Sequence, residues 1–299
     1  MQTHTPAWRL DPKMRGRARL NCPAPTAQPF ESRAFTLLEL IAVLVVLSFL
    51  AAILAPAFAS LGPNTRSGQC LHHLRLLGMS WRMYAEDNAG RLAPNADGGY
   101  TGRASYTASW AGGWLDYTAR TDNTNTDLLV NHQLWPYSAY FGAYLKNPAV
   151  FKCPADTSVI SIAGQSLPRV RSYSMNGHVG EISRTWSGSA NFLLYRNVTE
   201  IINPAPANLM VILDERQDSI NDGAFMVDAG TPWGLADYPG GYHNGGGNFV
   251  FADGHSETHI WQDPRTVPLL RPGQVLPIGI SLTNDMDLVW IKQHATANK

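Results

Sequence analysis

Ala34-Phe35-Thr36-Leu37-Leu38-Glu39-Leu40-Ile41-Ala42-Val43-Leu44-Val45-Val46-Leu47-Ser48-Phe49-Leu50-Ala51-Ala52-Ile53-Leu54-Ala55-Pro56 decides how this chain is organised. After Glu39 no charged residue follows until Arg66, so the run is long enough to cross a bilayer as a helix. Glu39 is the anomaly in it. A carboxylate entering hydrocarbon costs on the order of 3 kcal/mol and marks a function or a partner.

Upstream, residues 1–34 carry Arg9, Lys13, Arg15, Arg17, Arg19 and Arg33 against Asp11 and Glu31. Positive charge beside the start of a membrane span holds that side in the cytoplasm and sends the rest outward. An ordinary secretory signal is the competing reading, because Ala57-Phe58-Ala59 before Ser60 offers an A-x-A cleavage site. Against it stand the length of the apolar run and the carboxylate inside it.

Ala34-Phe35-Thr36-Leu37-Leu38-Glu39 resembles the processing site of type IV prepilins and of the pseudopilins of type II secretion, with Ala34 where that family usually has Gly. The resemblance implies cleavage between Ala34 and Phe35 by a prepilin peptidase and methylation of the new Phe35 amine. It also implies that Glu39 pairs with the amine of a neighbouring subunit, and that Pro56 stands at the family's helix-kinking position. A buried carboxylate without a partner is expensive, which agrees with such a pairing. The implied plan is a cytoplasmic leader over 1–34, a transmembrane helix over 35–61 and a periplasmic or extracellular head over 62–299. Other pilin or pseudopilin subunits and a bacterial inner membrane would be the partners.

The chain as a whole is neutral, with 23 basic and 23 acidic residues, and beyond residue 34 the balance is 17 basic to 21 acidic. A mildly acidic body has no electrostatic footprint for nucleic acid. At about 235 residues the body is long enough for one substantial core. Cys70 and Cys153 are the cysteines outside the leader. In an oxidising compartment they could form a disulfide, and as two buried thiols they could equally remain unpaired.

Leu71, Leu74, Gly78, Trp81 and Ala85 recur at helical steps and predict an amphipathic helix, stopped by Asp87-Asn88-Ala89-Gly90. Residues 95–128 are rich in Gly, Thr and Asn and read as a surface insertion. A short helix is expected within 135–146 and strands at 171–175, 209–213 and 287–291. Asp253-Gly254 between two strand-like runs predicts a hairpin. The predicted class is α+β: a long N-terminal helix, transmembrane then amphipathic, packed on an antiparallel sheet in a pilin-like head.

Cys70-Leu71-His72-His73-Leu74-Arg75, Phe151-Lys152-Cys153-Pro154-Ala155-Asp156, and His243 followed after nine residues by Asp253-Gly254 resemble the large prepilin-like proteins with an H-x9-DG signature. His243 is expected to bond Asp253 and so to lock the Gly245–Gly247 loop against the hairpin.

Chemistry is sparse. His243-Asn244-Gly245-Gly246-Gly247-Asn248 lacks the lysine and the strand–loop–helix setting of a phosphate loop. His243, His255 and His259 with Asp253 and Glu257 could hold zinc. Asp214, Glu215, Asp218, Asp222 and Asp228 offer the hard oxygens that calcium prefers, without an EF-hand spacing. No G-x-S-x-G elbow is present, and no enzyme activity is expected. The alternative to a filament subunit is an exported, membrane-anchored module binding glycans or envelope polymers through Trp110, Trp114, Trp186 and Trp233.

Overall fold

The computed structural model describes residues 36–60, 65–180, 191–230, 235–276 and 282–299, and of residues 51–60 the backbone alone. Ala34, Phe35, Trp186 and Trp233 lie outside the described residues. The chain divides into two compact units, residues 1–52 and 53–299.

Helix α1 runs Leu37–Ser60, passing through Pro56. Its described side chains are all exposed, with Leu37 at 74 %, Leu38 at 78 % and Phe49 at 72 %. Among the described residues, whose side chains in α1 end at Leu50, no helix is long and apolar enough to cross a membrane.

The second unit is a mixed α+β body around a five-stranded sheet. Its strands in chain order are β3 (Tyr173–Asn176), β4 (Met210–Asp214), β5 (Ala224–Phe225), β6 (Gly246–Phe251) and β7 (Ser256–Ile260). A separate antiparallel hairpin, β1 (Val159–Ile162) and β2 (Gln165–Pro168), precedes them. Spatial order is β5-β3-β4-β6-β7, antiparallel except for the short β3–β5 pair. The central strands β3, β4 and β6 are buried along their whole length, because both faces of the sheet are covered.

Helix α2 (Arg66–Asp87) covers one face and buries Cys70, Leu74, Leu77, Gly78, Ser80, Trp81 and Ala85. Thr65 caps its start, accepting from the Gly68 amide at 3.0 Å. At its end Gly90, at φ +81°, donates its amide back to the Ala85 carbonyl at 2.7 Å, as the sequence predicts. On this face Tyr173, Met175, Val211, Ile212 and Val250 complete the core. A register shift between Met210 and Ile212 is what lets the consecutive Val211 and Ile212 both face α2. Gly78 is required there: a Cβ on it would stand 2.7 Å from Val250 Cγ2.

The opposite face packs Met210, Leu213, Phe249 and Phe251 against Leu288, Ile291 and Ala295. Those last three belong to α4 (Met286–Ala295), which corrects the strand expected at 287–291. Asp285 accepts from the amides of Asp287 and Leu288 and so starts a helix, and Leu288, Ile291 and Ala295 fall on one helical face.

Two further expectations are corrected. Residues 95–128 are irregular apart from 3-10 turns at Ser105–Thr107 and Thr121–Asn123 and the start of a short helix α3 (Asp127–Val130), yet they are no surface insertion. Trp110 is fully buried, stacks on Phe151 at 5.9 Å and donates its indole N–H to Gly223 O at 2.8 Å. Within 135–146 the helical piece is a single 3-10 turn, Tyr140–Ala143. The expected hairpin is present as β6 and β7: Gly254, at φ +96°, donates to Phe251 O at 2.9 Å across the Asp253-Gly254 turn.

Candidate functional site

At one end of the sheet, under α2, four side chains from four separate segments converge. They are Cys70, Cys153, Asp214 and His243, all buried, with one ligand-type atom of each lying within 4.8 Å of all the others.

Each is placed by a local rule. Cys70 lies one turn into α2, on its buried face. Cys153 follows the 3-10 turn Pro148–Phe151 and begins a tight turn in which Asp156 N donates to Cys153 O at 3.0 Å. That turn aims the Ala155 amide at Cys153 Sγ, 3.4 Å away. Asp214 ends β4, where its Oδ1 accepts from the Asn248 amide at 2.8 Å, leaving Oδ2 to face the cluster. Glycines line the carboxyl group closely: a Cβ on Gly240 would stand 2.8 Å from Asp214 Cγ.

His243 arrives through a reverse turn. Asn244 and Gly245 both have positive φ, 55° and 81°, and His243 and Gly246 exchange backbone hydrogen bonds at 3.2 and 3.1 Å. This is the Asn-Gly turn that folds a chain tightly back on itself, and His243, just before it, meets Asp214 at the end of β4.

The contacts share one centre. His243 Nε2 is 3.0 Å from Asp214 Oδ2 and 3.5 Å from Cys153 Sγ. Cys70 Sγ lies 3.9 Å from Asp214 Oδ2 and accepts from the Tyr173 hydroxyl at 3.2 Å. Burial first, then the hydrogen bond with Cys153, pushes the Cys70 thiol well above its usual range. The hydrogen bond from Cys70 lowers Cys153 to about 6, against its burial and helped by His243. Burial works against a charged His243, but the hydrogen bonds to Asp214 and Cys153 outweigh it and raise the ring to about 10.

A cysteine, a histidine and an aspartate in contact suggest a nucleophile with its base. The geometry is wrong for that. In such a relay the base holds the nucleophile with one ring nitrogen and the carboxylate with the other, whereas here Cys153 and Asp214 both face Nε2. The four positions can instead accommodate an ion pair beside two thiols, a disulfide, or a cation. Cys70 and Cys153 are free and buried in this structure.

Several expected constellations are not assembled. His243 does not bond Asp253, since β6 runs between them and its six residues span about 20 Å. Asp253 accepts instead from His255, at 3.0 Å from its amide and 2.6 Å from Nδ1. His259 stacks on Trp290 at 3.9 Å and pairs with Asp287 at 3.6 Å, so His243, His255 and His259 form no common site, and Glu257 lies 4.0 Å from His255 Nε2. The acidic set is likewise dispersed. Glu215 accepts from Ser174 and Ser219, Asp218 from Arg216, Asp222 from the amides of Gly98 and Ala224, and Asp228 from the Gly230 amide. Of the tryptophans named for polymer binding, Trp110 is core and Trp114 half-buried. The convergence of Asp214 with the two cysteines and His243 went unread; the Asn244-Gly245 turn was the local signal for it.

Neither the family models, nor the curated proteins, nor the solved structures compared with this chain match it.

Proposed function

We propose that the chain is a prepilin-like structural subunit of a type IV pilus or type II secretion filament. In this reading a prepilin peptidase removes residues 1–34 between Ala34 and Phe35. Residues 35–61 then anchor the chain in a bacterial inner membrane, with the head of residues 62–299 on the far side until assembly. The observation that carries the proposal is α1, which exposes leucines, valines and Phe49 on every side and bears one carboxylate, Glu39, in its first turn. An apolar surface of that extent calls for lipid or for other helices.

Glu39 has a further role within its own chain. Thr36 donates to Glu39 Oε2 from its amide at 2.9 Å and its hydroxyl at 3.0 Å, while the Glu39 amide donates to Thr36 Oγ1 at 3.3 Å. This reciprocal capping box satisfies helix-end donors that hydrocarbon would leave bare, and it lies one residue from the amine that cleavage would release. Assembly would then proceed by helices bundling in the filament core while heads form its surface.

Intact-mass analysis and N-terminal sequencing of the membrane-extracted chain test the reading. A methylated Phe35 start is expected. A mature chain beginning at Ser60 would overturn it.

A further inference from the structure

We propose that Cys70, Cys153, Asp214 and His243 form a structural zinc site that fastens α2 to the sheet. The proposal concerns the head alone and goes beyond the filament reading.

The geometry is that of a tetrahedral centre. Zinc holds sulfur at about 2.3 Å and nitrogen or oxygen at about 2.0–2.2 Å, which puts neighbouring ligand atoms roughly 3.3–3.8 Å apart. The measured separations are 3.0 Å for His243 Nε2 to Asp214 Oδ2, 3.5 Å for His243 Nε2 to Cys153 Sγ and 3.9 Å for Cys70 Sγ to Asp214 Oδ2. They bracket those edges, and all pairs fall within 4.8 Å. A single ring nitrogen facing both a carboxylate and a thiol is what a shared central ion requires.

The outer shell fits as well. Zinc ligands are oriented by hydrogen bonds from behind, and three of the four have one here. The Tyr173 hydroxyl donates to Cys70 Sγ, the Ala155 amide to Cys153 Sγ, and the Asn248 amide to the far oxygen of Asp214. Two thiolates and a carboxylate give the soft, anionic donor set that selects zinc over calcium or magnesium. Binding expels the two thiol protons and any proton on His243 Nε2 to solvent. Four protein ligands, all buried, leave no position open for substrate, so the site is structural.

The test uses the full-length chain, extracted in detergent and purified without chelator. Elemental analysis should find one zinc per chain. Replacement by cobalt should give the intense visible bands of a tetrahedral ion and a thiolate-to-cobalt charge-transfer band. His243→Ala should lose the metal, whereas His255→Ala, on the exposed turn, should keep it. Removing zinc should lower the melting temperature. Should His243→Ala fail to fold, the cobalt spectrum of the unaltered chain decides. A metal-free chain with a Cys70–Cys153 disulfide overturns the proposal, as does a reduced chain that takes up no cobalt or binds it without the thiolate band.

Discussion

Thr36 and Glu39 close a reciprocal pair across the first turn of α1, each accepting from the other's backbone amide. The carboxylate therefore has two separable properties, its acceptor oxygens and its charge. Glutamine can fill the capping-box position without charge. If a neighbour's Phe35 amine needs the charge, Glu39→Gln should be cleaved normally and yet fail to enter filaments, as should Glu39→Ala. Incorporation of Glu39→Gln at the unaltered level, scored by immunoblot of sheared filaments, would assign Glu39 to the cap alone.

Gly78 and Val250 set how closely α2 approaches the sheet. Alanine in place of a helical glycine normally stabilises by about 1 kcal/mol, but here the added methyl would meet Val250 Cγ2 at 2.7 Å. Val250 is fully buried in a central strand and cannot swing away. Overpacking of this kind costs roughly 1–3 kcal/mol, so Gly78→Ala should destabilise the folded chain. Combining it with Val250→Ala should cost less than the two single changes added together. Strict additivity in denaturant titrations would show that the contact is not limiting.

Asp285 starts α4 with two backbone bonds and also accepts from the buried Thr266 hydroxyl at 2.8 Å. Asp285→Ala should lower stability by about 1–2 kcal/mol for the cap, and by more if Thr266 is left unsatisfied. Asp285→Asn should recover most of the loss. Melting curves of the two variants that coincide would argue against a capping role.

Asp222 predicts a pH dependence. Burial raises its carboxyl to about 7, against the pull of the Gly98 and Ala224 amides and the Arg171 charge. The folded chain therefore holds a proton there that the unfolded chain releases near pH 4. The resulting stabilisation is complete below pH 4 and is lost as pH climbs to about 7, at up to about 1.4 kcal/mol per pH unit. Burial raises Glu215, to about 8, and Asp237 in the same direction. The melting temperature should fall between pH 5 and pH 8, and Asp222→Asn should flatten part of that slope. A slope unchanged in Asp222→Asn would place the proton elsewhere.

What the sequence disclosed was what local spacing governs. Helix α2 was legible from its apolar steps and from Gly90, β4 from its run of aliphatic residues, and the β6–β7 hairpin from Asp253-Gly254. The five residues Asp287–Ile291 misled because a short apolar run has no decisive period; the cap at Asp285 was the better guide. Trp110 was misplaced because its burial depends on Gly223, more than a hundred residues away. The four-residue cluster was hidden for a similar reason. Cys70, Cys153 and His243 each stood out, but their meeting at Asp214 is a property of strand order.

The nine residues between His243 and Asp253 acquire a plain meaning from β6. Helix α2 is attached along that strand at three levels: Cys70 beside His243, Gly78 on Val250, and Arg82 Nη1 donating to Asp253 O at 2.8 Å. From Cys70 to Arg82 the helix rises about 18 Å, and β6 with its turn covers a similar distance. The interval in the sequence is thus a ruler laid against the helix. One residue added to it would displace an end mark by about 3.3 Å and turn alternate side chains to the wrong face. Strand and helix can change length only in step, so a spacing in one element measures the reach of the other.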